Sequence, residues 1–291
     1  MESNYRHITE ALRKEVEDKI NQVALLCRVF ARGKSDSSLN IKLLKYPNKY
    51  IKNGKSIQDA IGIRIALYFA EDIDIVSQLL IAHYKLAPSS STIDLPDLDT
   101  FTVSRNNLIF EIPEIHLQDM NRVIGNSPIE PTFEVQLRSI LSEGWHEVDH
   151  DLRYKSKSYW DDQNDLGRAL NGILATLETA EWSMKKIFDD LAYRHYKNRS
   201  WTAMLHVKFR MRIEPKLSMD ITSILDDDIF LAKDIFRINR NTIIKVFARL
   251  SPHLPITLDN IFYVSNFVGP KSPVVLDVTP VVVMETLQNN Y

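Results

Sequence analysis

Residues 133–156 read FEVQLRSILSEGWHEVDHDLRYKS, and the first five decide how the chain is built. Phe133-Glu134-Val135-Gln136-Leu137 alternates apolar and polar side chains, the period of a half-buried strand with its carboxylate and amide on one face. Ser139 to Asp151 then takes helical spacing, so a strand delivers Glu134 to a cleft and turns into a helix. Two chemistries fit that layout. His146-Glu147-Val148-Asp149-His150 satisfies H-E-x-x-H, which on a helix sets two imidazoles one turn apart for zinc with a Glu as base. A strand-borne carboxylate beside a helix equally suits phosphoryl transfer.

Working outward from Glu134, Ile61 to Phe69 is short, apolar and β-branched at its start, a buried strand, and Glu71 to Leu86 reads as a helix. Leu108 to Ile112 is a further strand closed by Pro113, and Pro88 to Thr102 is a loop rich in Ser, Asp and Pro. Upstream, Ile8, Leu12, Val16, Ile20, Val23, Leu26, Cys27 and Phe30 recur at helical spacing and predict one amphipathic helix over 8–31, ending near Gly33. Downstream, Asp165 to Tyr196 is a long helix, and from about 200 the chain has helical pieces and a proline-punctuated end. The expected fold is α+β: a mixed β-sheet flanked by helices over 1–200, and a mostly helical C-terminal extension over 201–291.

Composition narrows the classes. A chain of 291 residues with 44% hydrophobic content buries a substantial core. One cysteine, Cys27, excludes an internal disulfide and a cysteine-rich zinc module and fits a reducing, cytoplasmic setting. The N-terminus is charged and amphipathic, and no run approaches a membrane span. A net charge of -2 argues against coating nucleic acid nonspecifically. A local basic patch remains open, because Arg194, His195, Lys197, Arg199, His206, Lys208, Arg210 and Arg212 are set among Tyr193, Tyr196, Trp201 and Phe209. That mixture either grips RNA or is a helix with an apolar stripe and a solvated rim. Asp226-Asp227-Asp228 marks a helix N-terminus.

Two further segments bear on Glu134. Arg32 to Lys42 holds Arg32, Lys34 and Lys42 with a hydroxyl at Ser38; as a loop it either cradles a polyphosphate or faces water. Asp59, at the mouth of the Ile61 strand, and Glu134 offer two carboxylates for Mg²⁺. Arg64 lies on an otherwise apolar strand, so it is either paired internally or reserved for a ligand.

Four motifs in order resemble the RelA/SpoT-type alarmone synthetases. Arg32, Lys34, Ser38 and Lys42 match R-x-K-x-x-x-S-x-x-x-K; Asp59, Gly62 and Arg64 match D-x-x-G-x-R; Glu134, Gln136 and Arg138 match E-x-Q-x-R; and Trp145, Glu147, His150, Tyr154 and Lys155 match W-x-E-x-x-H-x-x-x-Y-K. The resemblance implies a nucleotidyltransferase-like synthetase fold that moves pyrophosphate from ATP to a nucleotide 3′-hydroxyl. By the same resemblance Arg32 and Arg64 sandwich adenine, Lys34 and Lys42 hold the ATP phosphates, Ser38 belongs to the same ATP-binding set, Asp59 and Glu134 bind Mg²⁺, and Glu134 is the base. Gln136 and His150 are expected to serve the acceptor. The family's G-Y-R-S-x-H element is missing, leaving Arg105 and Phe101 as stand-ins for its arginine and ring. The expected acceptor is therefore GDP or GTP, with an adenine nucleotide or a tRNA 3′ end as in toxin-like relatives as the alternative. A degenerate nucleotide-sensing module and the zinc peptidase are the remaining readings. A homo-oligomer or a regulatory protein partner is compatible with all of them.

Overall fold

The structure is a computed structural model that describes residues 5–45, 56–87, 91–93, 106–125, 127–250 and 253–290. In chain order the first elements are α1 (Arg6–Asn21), β1 (Cys27–Gly33), α2 (Asp36–Lys45), β2 (Ile61–Leu67), α3 (Ile73–His83), β3 (Thr92–Ile93), β4 (Asn106–Glu111), α4 (Glu114–Ile124), β5 (Thr132–Ser139), α5 (Ile140–Val148) and α6 (Asn164–Lys197). Helices α7 (Trp201–Phe209), α8 (Met219–Asp227), α9 (Ile229–Arg237), α10 (Arg240–Leu250), α11 (Leu258–Val268), α12 (Pro273–Val278) and α13 (Val281–Asn290) follow. The α+β expectation holds: a mixed sheet with flanking helices and a helical C-terminal part.

The sheet runs β1-β2-β5-β4-β3. Only the β2–β5 pair is parallel, with Ile61 opposite Phe133 and Leu67 opposite Ser139; β1 joins β2, and β4 joins β5, antiparallel. One face is apolar: Ile61, Ile63 and Ile65 of β2, Phe133, Val135 and Leu137 of β5, and Leu108 and Phe110 of β4 are all buried. Helix α3 packs against β5, and Tyr84, just past its end, meets Phe110 and Phe133 with ring centroids 5.7 and 5.3 Å away. Burying rings and β-branched side chains on one face fixes the register, because a one-residue slip would turn them all outward. Helix α1 contributes Ile8, Leu12, Val16 and Ile20 to the core, and its Glu15 bonds His116 of α4.

Three expectations need correction. The helix expected over 8–31 ends at Asn21, and Cys27 to Gly33 forms β1. A turn carried by Ala24 at φ 51 separates the two, and the strand's alternation leaves Cys27 buried but Phe30 53% exposed. Helical spacing misled there because Leu26, Cys27 and Phe30 fit both periods. The cation loop is likewise the end of β1 followed by a helix, α2. Finally, the chain divides into two compact units inside α6, not at 200: residues 1–18 with 27–178, and residues 19–26 with 179–291. The continuous helix explains this. Its first half accepts a bond from Trp145 at Leu170 and from Arg153 at Asn171, whereas in its second half Asp189 pairs with Arg210 and Tyr196 stacks on Phe236. Residues 19–26 join the second unit, where the Arg212 N–H donates to the Ala24 carbonyl.

Among the described residues no helix is long and apolar enough to cross a membrane.

Candidate active site

The face of the sheet opposite the apolar core is polar, and cross-strand pairing dictates its layout. In register, Arg32, Gly62, Glu134 and Ile109 form one row, and Phe30, Arg64, Gln136 and Asn107 the next. Arg28, Ala66 and Arg138 form a third. Gly62 therefore contributes no side chain between Arg32 and Glu134. A Cβ there would meet only the Arg32 carbonyl oxygen, at 3.8 Å, so the protein's own packing does not require the glycine, and the open place suits a ligand against the sheet.

Glu134 is held by amides on both oxygens: Asn107 Nδ2 donates to Oε1 and Gln136 Nε2 to Oε2, each at 3.0 Å. Burial, then the charge of Asp59, pushes its carboxyl above the usual range, while the Gln136 bond and the charges of Lys34 and Arg138 pull it back. Asp59 and Lys34 are brought to the same end of the sheet. Gly33 and Ile61 are register partners, the Lys34 N–H donates to the Ala60 carbonyl at 2.9 Å, and the Lys34 ammonium pairs with the Asp59 carboxylate.

Arg64 is paired internally. Its NH1 reaches Glu143 Oε1 at 2.7 Å and also the Glu147 carboxylate, and its Nε lies 3.4 Å from Gln136 Oε1. Glu143 Oε2 accepts from Arg138 NH1 at 3.0 Å. Burial holds the Arg138 guanidinium below its ordinary value, and it stays charged regardless. Helix α5 carries Glu143 and Glu147 one turn apart and starts on Ser139, whose side chain accepts from the Ser142 N–H.

The structure thus gathers Lys34, Asp59, Arg64, Glu134 and Gln136 on one face, with Arg32 exposed on the adjoining strand. Ser38 and Lys42 lie on α2, but their side chains are outside the described residues. Arg105 and Phe101 are also outside the described residues. His150 stands apart on a π-helical turn over 149–154, half-exposed, bonded to Asp151 and stacked on Tyr154. The H-E-x-x-H arrangement is not assembled: the helix widens from α to π after Val148, His146 is buried against Trp145, His150 is bonded to Asp151, and Glu147 is taken by Arg64. Among the described residues no three His, Cys, Asp or Glu side chains group as a metal site.

Sequence reasoning missed Asn107, Glu143 and Phe30. Asn107 sits next to a strand start in a segment read for another motif, and Phe30 was assigned to a helix. Glu143 had a signal, an acid in the first turn of a helix facing the arginine-bearing strands.

The donor set fits magnesium. Asp59 and Glu134 are hard oxygen donors whose mutual repulsion is part of what raises Glu134, and Mg²⁺ takes one or two carboxylates with phosphates and water completing its shell.

Residues 31–159 match the family model described as the region found in RelA / SpoT proteins, a span that includes every residue of this face from Arg32 to Glu147. Among solved structures the fold is similar to that of small alarmone synthetase 1 from Bacillus subtilis bound to its product pppGpp, at 19% identity over 65% of this chain and 95% of that one, with a TM-score of 0.51. Small alarmone synthetase 2 from Bacillus subtilis follows at 22% identity, 63% and 93% coverage and TM-score 0.44. A GTP pyrophosphokinase family protein from Streptococcus pneumoniae follows at 18%, 64% and 90%, and 0.47. No curated protein matches the chain. Residues 31–159 thus match the RelA / SpoT region, and the fold is similar to that of a small alarmone synthetase.

Proposed function

We propose that the chain transfers the β,γ-pyrophosphate of ATP to the 3′-hydroxyl of a guanine nucleotide in a magnesium-dependent reaction. The observation that carries this reading is Glu134, fixed between two amide donors beside Asp59 and Lys34 and within the RelA/SpoT region. In the proposed step Glu134 accepts the 3′-hydroxyl proton as that oxygen bonds to the β-phosphorus. The bond between the β-phosphorus and the oxygen bridging it to the α-phosphorus breaks, and AMP leaves with that oxygen.

The chain's own groups divide the remaining work. The ammonium of Lys34 balances charge on phosphate oxygens, and a positioned cation acts most strongly where water is excluded. Arg32 and Arg64 offer guanidinium planes to adenine. The two amides keep Glu134 at one orientation, so its lone pair is aimed before the acceptor arrives. Asp59 and Glu134 would hold Mg²⁺, which when bound neutralises charge on the transferring phosphates. The product pppGpp bound in the small alarmone synthetase 1 structure supports a guanine acceptor.

The test is thin-layer chromatography of purified protein with γ-labelled ATP and Mg²⁺ against GDP, GTP, AMP, ATP and bulk tRNA, beside Glu134→Gln. Label on GDP or GTP in the wild type alone supports the reading. Label on an adenine nucleotide or on tRNA moves the acceptor, and no label on any acceptor removes the proposed reaction.

A further inference from the structure

The guanidinium of Arg64 is bonded at NH1 and at Nε and carries charge in a face that also holds Arg138. Its NH1 serves both Glu143 and Glu147, and its Nε points to Gln136. These partners differ in kind. Glu143 is buried and its second oxygen accepts from Arg138, so one carboxylate stands between two guanidiniums that repel each other. Glu147 is half-exposed and is held to nothing else on that face among the bonds described.

Arginine has only donors, so the atom Gln136 turns toward Arg64 must be its oxygen. That leaves Nε2 for Glu134, as found at 3.0 Å. A guanidinium donates in its own plane, so acceptors at NH1 and Nε leave its flat faces for stacking on aromatic rings. Each two-nitrogen fork, NH1 with NH2 and Nε with NH2, already has one nitrogen taken, so Arg64 is poorly placed to grip phosphate bidentately.

We propose that Glu143 is the positioning residue of the nucleotide site: it pins the Arg64 edge, so that Arg64 recognises the flat base of ATP and not its phosphates. Glu147 is the replaceable second anchor on the same nitrogen. The inference rests on the proposed ATP site and adds to it a residue that touches no substrate.

The experiment is calorimetric titration of the intact protein, without acceptor, using Mg–ATP and, separately, inorganic tripolyphosphate with Mg²⁺. Glu143→Gln should weaken Mg–ATP binding about tenfold, the scale of a stacked cation, and leave tripolyphosphate binding unchanged. Damage to the fold would weaken both. In an Arg64→Met background the Glu143→Gln effect on ATP should disappear, because coupled residues are non-additive. Glu147→Gln should give a smaller loss of the same kind. If Glu143→Gln does not fold, Glu143→Asp takes its place, with an intermediate loss that also vanishes beside Arg64→Met.

Equal weakening of ATP and tripolyphosphate, additivity with Arg64→Met, or no change at all overturns the role of Glu143. Tight ATP binding by a wild type that transfers to no acceptor removes the proposed reaction but leaves this inference standing. A wild type that binds no ATP ends both.

Discussion

The polar face of the sheet and the segment from Tyr193 to Arg212 hold similar residues and use them in opposite ways. Both hold arginines and lysines with an aromatic neighbour, which on the sheet is Phe30 opposite Arg64. In the C-terminal unit several of these groups are taken up by the fold, while Arg194, Lys197, Arg199 and Arg212 stay exposed: Arg210 is buried and pairs with Asp189, the neighbouring Arg240 donates to the Phe209 carbonyl, and Lys208 lies over Phe209 and Phe236. Tyr196 stacks on Phe236 with centroids 5.0 Å apart, and the Trp201 N–H is spent on Asp226. On the sheet, carboxylates and cations converge around a place that Gly62 leaves open. Richness in cations is common to both regions, so it does not mark a ligand site. An unfilled space lined by fixed polar groups does.

The largest test of that contrast is Glu134→Gln. On the proposed chemistry it should lower transfer by roughly 10²–10⁴, the usual scale of a general base, while Mg–ATP binding stays measurable. Retained turnover would take Glu134 out of the mechanism and leave the sheet face no more catalytic than its C-terminal counterpart.

Arg210→Met probes the other region. Its partner Asp189 is partly exposed and also holds Lys185, so the loss should be about 1–3 kcal/mol in urea unfolding, less than for a fully buried pair. Transfer per folded molecule should not change. A drop in transfer without a drop in stability would show that the segment serves the reaction after all.

Arg64→Ala comes next, with an expected loss of about tenfold in Mg–ATP affinity. Unchanged affinity in a folded variant would make Arg64 a brace between α5 and the sheet, the role Arg210 has in its own unit.

The contrast was only half legible in the sequence. Strand β5 declared itself by alternation and β2 as a short apolar, β-branched run, and their parallel pairing then places Gly62 beside Glu134 and Arg64 beside Gln136. Asp59 was legible at the mouth of the Ile61 strand, but Lys34 reads as a loop residue, and only the pairing of β1 with β2 sets the two side by side. What the sequence concealed were features that depend on tertiary choice. Phe30 satisfies a helical period and a strand period equally, and only pairing with β2 resolves it. The partner of Arg64 lies 79 residues away in Glu143, a separation no local pattern encodes. Helix α4 was missed although Ile115, Leu117, Met120, Val123 and Ile124 are apolar; only Met120 and Ile124 of these are buried, and Ile115 is exposed. Asp228 was legible: its carboxylate caps α9, accepting from the Phe230 and Leu231 N–H groups.

The smallest expected effect concerns Lys208, and here the sign separates a folded-in cation from a ligand-binding one. Burial, then the charges of Arg210, Arg240 and Lys185, pushes its ammonium down to about 8, with only Asp189 opposing. A lysine whose folded value lies below its unfolded value costs stability wherever it is charged in both states. That cost is fully present below about pH 8 and disappears as pH rises toward about 10.4, the unfolded value, because the folded state releases its proton first. Lys208→Met keeps the length of the side chain and a favourable contact with the rings of Phe209 and Phe236. The variant should therefore gain roughly 1 kcal/mol in urea unfolding near neutral pH, with the gain fading above pH 8. Equal loss at neutral and alkaline pH would mean that the ammonium stabilises its surroundings, and the C-terminal cations would have to be reconsidered as a cluster kept charged for a partner.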